Sequence, residues 1–166
     1  TALLKKSGAS DAQLKGLVEK NILFLEKRPV DRLQNLPRNV SIDFELTEAQ
    51  QQSLDEIRKS FETKPVCLLH GVTGSGKTLL YIKLIEEFLQ LDKQVLFLLP
   101  EIALTTQLVQ RLSAYFGNQI AVFHSKYNSN ERVEVYNHVL QNSEKAKVVL
   151  GVRSALFLPF SNLGLI

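Results

Sequence analysis

The chain has 166 residues, of which 45% are hydrophobic and 22% charged, enough for one α/β core and a small additional segment. No apolar run approaches the roughly 18 residues that span a bilayer, and the first residues lack the layout of a signal peptide, so we expect a cytoplasmic protein without a membrane partner. The lone cysteine, Cys67, excludes a disulfide framework and a cysteine zinc site within this sequence. A net charge of +3 fits a polyanionic partner without requiring one.

The first segment, residues 1–33, is organised differently from the rest. Ser10 and Gln13 have the spacing of a capping box, and the apolar positions behind them suit one face of an amphipathic helix ending near Asn21. Residues 22–29 predict a strand that turns into a basic wing. A helix followed by a wing favours a partial winged-helix-like α+β module. An equal alternative is an appended segment that only packs on the rest of the protein and keeps a solvated basic face.

Several basic side chains of this segment are available to DNA phosphates. They are Lys15, Lys20, Lys27, Arg28 and Arg32, of which Lys27 and Arg28 are the preferred contacts. Proline and asparagine then break both periodicities, so residues 34–43 are expected to form a linker.

From residue 44 onward, helix and strand patterns alternate. A helix is predicted over 48–61, and strands are predicted at 66–69, 94–99, 120–124 and 147–151. These strands are continuous apolar runs, as expected for a parallel sheet covered on both faces. The pattern predicts a doubly wound, RecA-like α/β sheet over residues 44–166. Cys67, inside the first strand, is expected to be a buried and inert thiol.

Residues 71–78 fit the phosphate-loop pattern G-x-x-x-x-G-K-[ST], between a predicted strand and a predicted helix. The predicted nucleotide-binding residues are Gly71, Thr73, Gly74, Ser75, Gly76, Lys77 and Thr78. The glycines let backbone N–H groups converge on a polyphosphate, Lys77 adds a positive charge for the β- and γ-phosphates, and Thr78 can ligate Mg²⁺. The alternative is a glycine turn before a helix.

Ligands of such sheets bind at the carboxyl ends of the strands. The loops at 100–101, 124–125 and 151–154 should therefore lie at the same edge as the phosphate loop. His124 has no clustered ligands around it in the sequence and is expected to be structural.

The motifs are similar, in residues, order and spacing, to those of the PriA family of primosomal replication-restart helicases, within superfamily 2. They lie at 69–78, 98–105, 124–125, 151–157 and 162–166. The resemblance covers residues 44–166, and the first segment is similar to the module that precedes the motor in that family. It implies an ATP-dependent DNA helicase that moves 3′ to 5′ and acts in replication restart at stalled forks. The implied partners are forked and single-stranded DNA, replication-restart proteins and single-strand-binding proteins.

The resemblance also implies roles for single residues, each with an alternative. Gln50 would contact adenine, although Thr47 and Gln50 equally suit a capping box. Thr105 and Thr106 would line the single-strand track, or only cap the next helix. Arg153 would contact DNA, or pair with a nearby carboxylate.

Phe44 also has two alternative interpretations: it would stack on the adenine base, or it would anchor the linker in the core.

The sequence departs from the family pattern in two places. Leu79 and Leu80 follow Thr78 where the family usually has an acidic residue, and Val152 stands where many relatives have threonine. The sequence also stops before an Asp-Glu-Glu-His box, and a zinc-binding insertion and a second RecA lobe are not found in it. We therefore expect a fragment that does not hydrolyse ATP alone, with zinc only in the missing part. A non-catalytic nucleotide- and DNA-binding module, or another phosphate-loop enzyme such as a small-molecule kinase, are the alternatives.

Overall fold

The computed structural model describes residues 8–24, 44–100, 106–124 and 129–166. The chain divides into two compact units, Thr1–Asp31 and Arg32–Ile166. The predicted linker and most of the predicted wing, including Lys27 and Arg28, lie outside the described residues. None of the helices within the described ranges is long and apolar enough to cross a bilayer.

In the first unit, helix α1 spans Asp11–Glu19 and begins with the predicted capping box. Ser10 N donates to Gln13 Oε1 over 2.8 Å, and Gln13 N donates back to Ser10 Oγ over 3.3 Å. Asn21 follows the helix with a φ of 54°, a conformation that asparagine tolerates, and it confirms the predicted stop. The predicted strand is wrong for its first residues, since 22–24 form no strand. Ile22 and Phe24 are exposed, and residues 8–24 of the first unit contain no strand for them to pair with.

The second unit alternates helices and strands as predicted. Its helices are α2 (Glu48–Phe61), α3 (Lys77–Gln90), α4 (Thr106–Phe116) and α5 (Ser129–Leu140). Its strands are β1 (Gln94–Leu98), β2 (Ile120–Phe123), β3 (Val148–Gly151) and β4 (Leu163–Leu165), and short 3-10 turns cover Gly117–Gln119, Glu144–Ala146 and Arg153–Phe157. The strands form one sheet in the order β2-β3-β1-β4, and every pairing is parallel. The α/β fold class is confirmed.

Both faces of the sheet are buried, which explains the continuous apolar runs. Val95 and Val148 face α3 and α4, where they pack with Ile85 and Leu112. Their strand neighbours point to the opposite face and pack against α5 through Val135 and Val139. Helix α2 lies outside α3, in a cluster of Leu54, Ile57, Leu80 and Leu84. The sheet is therefore a middle layer, and α3 is held between β1 and α2.

The strand predicted at 66–69 is absent from the structure. Val66 is 77% exposed and Leu68 88% exposed, and Cys67 is exposed rather than buried. A cavity of about 740 Å³ lies between this segment and the free side of β4, lined by residues 64–67 and 163–166. A strand needs a partner for its backbone N–H and C=O groups, and here they do not pair with β4. The apolar composition of 66–69 therefore predicted a strand that the described residues do not form.

Candidate nucleotide-binding site

The fold places the start of α3 at the carboxyl edge of the sheet. Residues 91–93 reverse the chain between α3 and β1, so the helix runs back along the strand. The ring of Tyr81, in the second turn of α3, lies edge-on to the ring of Phe97, near the end of β1, with centroids 5.7 Å apart. Because α3 begins four residues before Tyr81, the loop at 71–76 lies beside the end of β1, as predicted.

The backbone of this loop depends on two glycines. Gly74 and Gly76 both have a φ of +83°, the left-handed region that residues with a Cβ rarely enter. Ser75 N donates to the Val72 carbonyl over 3.3 Å, which closes a turn inside the loop. Gly76 is the N-cap of α3, and no side chain caps that helix. The first N–H groups of α3 are therefore not satisfied by a cap, and they provide an electropositive site for an anion.

Lys77 folds back over the loop. Its Nζ donates to the carbonyl oxygens of Gly71 and Val72, each over 2.7 Å. An ammonium has three N–H groups, so one remains beyond these two bonds. Thr78 is the next residue in the first turn of α3 and is half-buried. An uncapped helix start, one ammonium and one hydroxyl are thus neighbours where the sequence predicted a phosphate site, and such groups suit a polyphosphate with Mg²⁺.

Gln50 reaches this loop from α2. The structure confirms its capping box: Thr47 N donates to Gln50 Oε1 over 3.0 Å, and Gln50 N donates to Thr47 Oγ1 over 3.3 Å. Its Nε2 also donates to the Ser75 carbonyl over 3.3 Å. The two predicted sites, Gln50 and the phosphate loop, are therefore adjacent, although 25 residues of sequence separate Gln50 from Ser75.

Phe44 packs into the core. Its ring lies edge-on to that of Tyr115 at 6.0 Å, and Lys83 Nζ lies 4.8 Å above its centroid. It belongs to the cluster that covers the sheet on the α3 and α4 side. These contacts favour the anchor interpretation over stacking on a base.

The other predicted positions follow strand ends where they are described. Pro100 comes after β1 and the half-buried His124 after β2. Arg153 begins the 3-10 turn after β3, is exposed, and pairs with no carboxylate of the described ranges. Thr106 is the first residue of α4, and its side chain is not among those described.

Glu101, Thr105 and Ser125 lie outside the described residues, as do Lys27, Arg28 and Arg32 of the first segment. Within the residues that are described, no three or more His, Cys, Asp or Glu side chains group as a metal site would require.

The departures from the family pattern are core residues. Leu80 is 3% exposed and packs against α2, while Leu79 packs toward the sheet. Val152 is also 3% exposed. These side chains take part in packing, which gives their apolar character a physical reason.

Sequence reasoning missed two contacts of the loop. It did not anticipate that Lys77 bonds to the carbonyls of its own loop, or that Gln50 bonds to Ser75. The second contact joins distant parts of the chain, and nothing in a single sequence marks it. The capping-box pattern at Thr47 was the one local signal, because it fixes where the Gln50 side chain begins.

Residues 43–162 match the family described as "Type III restriction enzyme, res subunit". The chain belongs to this family. The match includes the phosphate loop, Gln50 and all strands except β4.

The chain is also similar to proteins named replication restart protein PriA, which confirms the resemblance read from the motifs. It is 38% identical over 168 aligned residues to the one from Bacillus subtilis, with 99% of this chain and 21% of the relative covered. For Synechocystis sp. the identity is 41%, with 99% and 20% covered, and for Haemophilus influenzae 41%, with 95% and 21% covered. The chain thus spans about a fifth of the length of these relatives.

Proposed function

We propose that this chain binds ATP with Mg²⁺ through residues 71–78. The backbone N–H groups of the loop and of the first turn of α3 hold the phosphates. Lys77 exchanges a loop carbonyl for phosphate oxygens, and the Thr78 hydroxyl is a ligand of Mg²⁺. The single observation that carries the proposal is the loop itself, where two glycines at positive φ lead into a helix without a side-chain cap.

Gln50 is the proposed adenine contact. Its carboxamide has two N–H groups and two lone-pair acceptors, which suits the edge of adenine. Its position beside Ser75, over the start of α3, supports this role. The base specificity of the site then comes from α2, and the phosphate affinity from the loop.

DNA is the proposed second ligand. Thr105, Thr106 and Arg153 would contact phosphates of a single strand at the carboxyl edge of the sheet. Lys27 and Arg28 would contact DNA from the first unit. The exposure of Arg153, with no described carboxylate paired to it, supports its part of the proposal.

For a protein of the relatives' full length, we propose ATP-driven 3′ to 5′ DNA unwinding in replication restart. It would act in the cytoplasm on stalled forks, with replication-restart and single-strand-binding proteins as partners and with zinc outside this chain. The similarity over nearly the whole chain supports this proposal. ATP binding at a lobe of this kind would change its affinity for single-stranded DNA, and one such change in each ATP cycle would move the protein along the strand.

The first experiment is calorimetric titration of the chain with a non-hydrolysable ATP analogue and Mg²⁺. Lys77→Ala should weaken binding about tenfold to a hundredfold, the value of a charge-assisted hydrogen bond to phosphate. Lys59→Ala is the matched control, because Lys59 is exposed in the last turn of α2. Equal weakening in both variants, or no binding by the unchanged chain, contradicts the proposal.

The second experiment measures the affinity for single-stranded DNA over a range of salt concentrations. Arg153→Ala should weaken binding to all sequences and lower the salt slope by about one. Arg111→Ala, an exposed arginine on α4, is the control. An unchanged salt slope for Arg153→Ala would remove Arg153 from the interface.

A further inference from the structure

Gln50 contacts the phosphate loop directly, through a hydrogen bond that needs no nucleotide. We propose that Gln50 is a positioning residue for the phosphate loop: its amide ties α2 to Ser75 and holds residues 75–77 in the shape that binds phosphate. This role is separate from any contact with adenine. It deepens the proposed function and rests on it, because it concerns the same loop.

The amide of Gln50 is fixed at both ends. Its Oε1 accepts from Thr47 N over 3.0 Å, while Nε2 donates to the Ser75 carbonyl over 3.3 Å. Thr47 Oγ1 accepts from Gln50 N, so the cap holds the residue from both sides. The direction of Nε2 is therefore set by the start of α2, which itself packs on α3 through Leu54 and Ile57. A side chain held in this way transmits the position of α2 to the loop.

The amide also fills the space above Gly76. A Cβ at Gly76 would lie 2.3 Å from Gln50 Nε2, so the side chain touches two consecutive residues of the loop. Gly76 is the N-cap of α3, directly before Lys77. Lys77 in turn bonds to the carbonyls of Gly71 and Val72. These contacts therefore connect α2, through Gln50, to the N-cap of α3 and then to Lys77.

Positioning and base recognition use different N–H groups and different lone pairs of the same carboxamide. The carboxamide has two N–H donors and two acceptor lone pairs, and the protein uses one of each. One donor and one acceptor remain for a base. A ligand without a base is therefore the probe that separates the two roles.

The test compares Mg²⁺-tripolyphosphate with the Mg²⁺ complex of an ATP analogue, by calorimetry on the full chain. Gln50→Met keeps an unbranched side chain of similar length but has no amide. We expect it to weaken tripolyphosphate binding about threefold to tenfold, since one neutral hydrogen bond is worth about 1 kcal/mol.

Two control variants match this change. Gln51→Met and Gln52→Met alter the same helix at amides that bond to Asp55 and Glu56, and they should leave the affinity unchanged.

Hydrogen exchange without any ligand gives an independent readout. Amides of residues 73–79 should exchange faster in Gln50→Met than in Gln51→Met, because the loop loses its tie to α2. If Gln50→Met weakens binding of the ATP analogue but changes neither tripolyphosphate binding nor exchange, Gln50 only reads the base and the inference is overturned. If the unchanged chain binds neither ligand, the proposed function fails, and the exchange comparison still decides whether Gln50 positions the loop.

Discussion

The side-chain amide of Gln94 donates from Nε2 to the backbone carbonyl of Val139 over 2.8 Å, which links the start of β1 to α5. Its Oε1 accepts from the backbone N–H groups of Ser161 and Asn162, over 3.1 and 3.0 Å. Gln94 is fully buried. One side chain therefore satisfies three backbone groups at the amino edge of the sheet and fixes the chain as it enters β4.

Gln94→Leu should lower the free energy of unfolding by about 2–4 kcal/mol, because three backbone groups lose their partner. Urea denaturation followed by circular dichroism measures it. Gln119→Leu is the control, since Gln119 makes one side-chain bond, to the exposed Glu144, and should cost less than about 1 kcal/mol. A Gln94 variant as stable as the control would show that these bonds add nothing to stability.

The same edge carries an ion pair between Asp92 and Lys147. The side chain of Lys147 is 4% exposed and that of Asp92 is 72% exposed, so a buried ammonium meets a carboxylate at the surface. Lys147 also donates to Asn142 Oδ1 over 3.1 Å. The hydrogen bond from Lys147, followed by its positive charge, lowers the pKa of Asp92 below its ordinary value of 3.8.

Asp92→Asn should remove an acid-dependent part of the stability. A carboxylate with a lowered pKa in the folded state stabilises above its ordinary pKa, and this stabilisation is lost as the pH falls through the folded value. The difference in unfolding free energy between the original chain and Asp92→Asn should therefore be constant near neutral pH and shrink below about pH 4. Asparagine tolerates the φ of 57° at position 92, so the backbone is kept. Urea titrations from pH 7 to 3 test this, and a difference independent of pH would contradict it.

Local signals predicted the parts of the fold that depend on near neighbours. The helix over 48–61 was predicted with both its ends, because Thr47 and Gln50 form the cap and the apolar positions repeat along one face. The helix at 11–19 follows from the same pattern at Ser10 and Gln13. Strands β1, β2 and β3 were within one residue of their predicted ends, because each is a short apolar run that pairs with another.

The strand at 66–69 was predicted from the same kind of run and does not form. Composition shows that a segment is apolar enough for a strand, but pairing depends on which neighbour lies beside it. On the side of β4 that faces this segment there is a cavity, and no backbone hydrogen bonds pair the two. The error in the burial of Cys67 follows from the same cause. At the site, the phosphate-loop pattern located the loop, whereas the bond between Gln50 and Ser75 depends on how α2 packs on α3.

Exposure of Cys67 gives a direct chemical test of this segment. The thiol should react with a maleimide or an aromatic disulfide reagent in the native chain, at a rate within about tenfold of that in denaturant. It is the sole cysteine, so the signal belongs to one site. The absorbance of the aromatic thiolate that the disulfide reagent releases, followed against time with and without urea, measures the two rates. Reaction only after unfolding would mean that 66–69 is buried in solution.

A substitution at Gly76 should disturb the site through Gln50. Gly74 and Gly76 share a φ of +83°, so alanine at either position carries the strain of the left-handed region, about 1–2 kcal/mol. No atom lies within 4 Å of a Cβ at Gly74, whereas a Cβ at Gly76 would meet Gln50 Nε2 at 2.3 Å. Gly76→Ala must therefore also displace the Gln50 amide from Ser75.

A double-mutant cycle separates these two effects. Gly76→Ala with Gln50→Ala should be less destabilising than the sum of the single changes, by about 1 kcal/mol, since each change removes the same hydrogen bond. Gly74→Ala with Gln50→Ala should be additive within about 0.5 kcal/mol. Urea denaturation of the six chains gives both interaction energies. Additivity in the Gly76 cycle would show that the Gln50 amide does not hold the N-cap, whereas the expected difference between the cycles places that contact at Gly76 and not at Gly74.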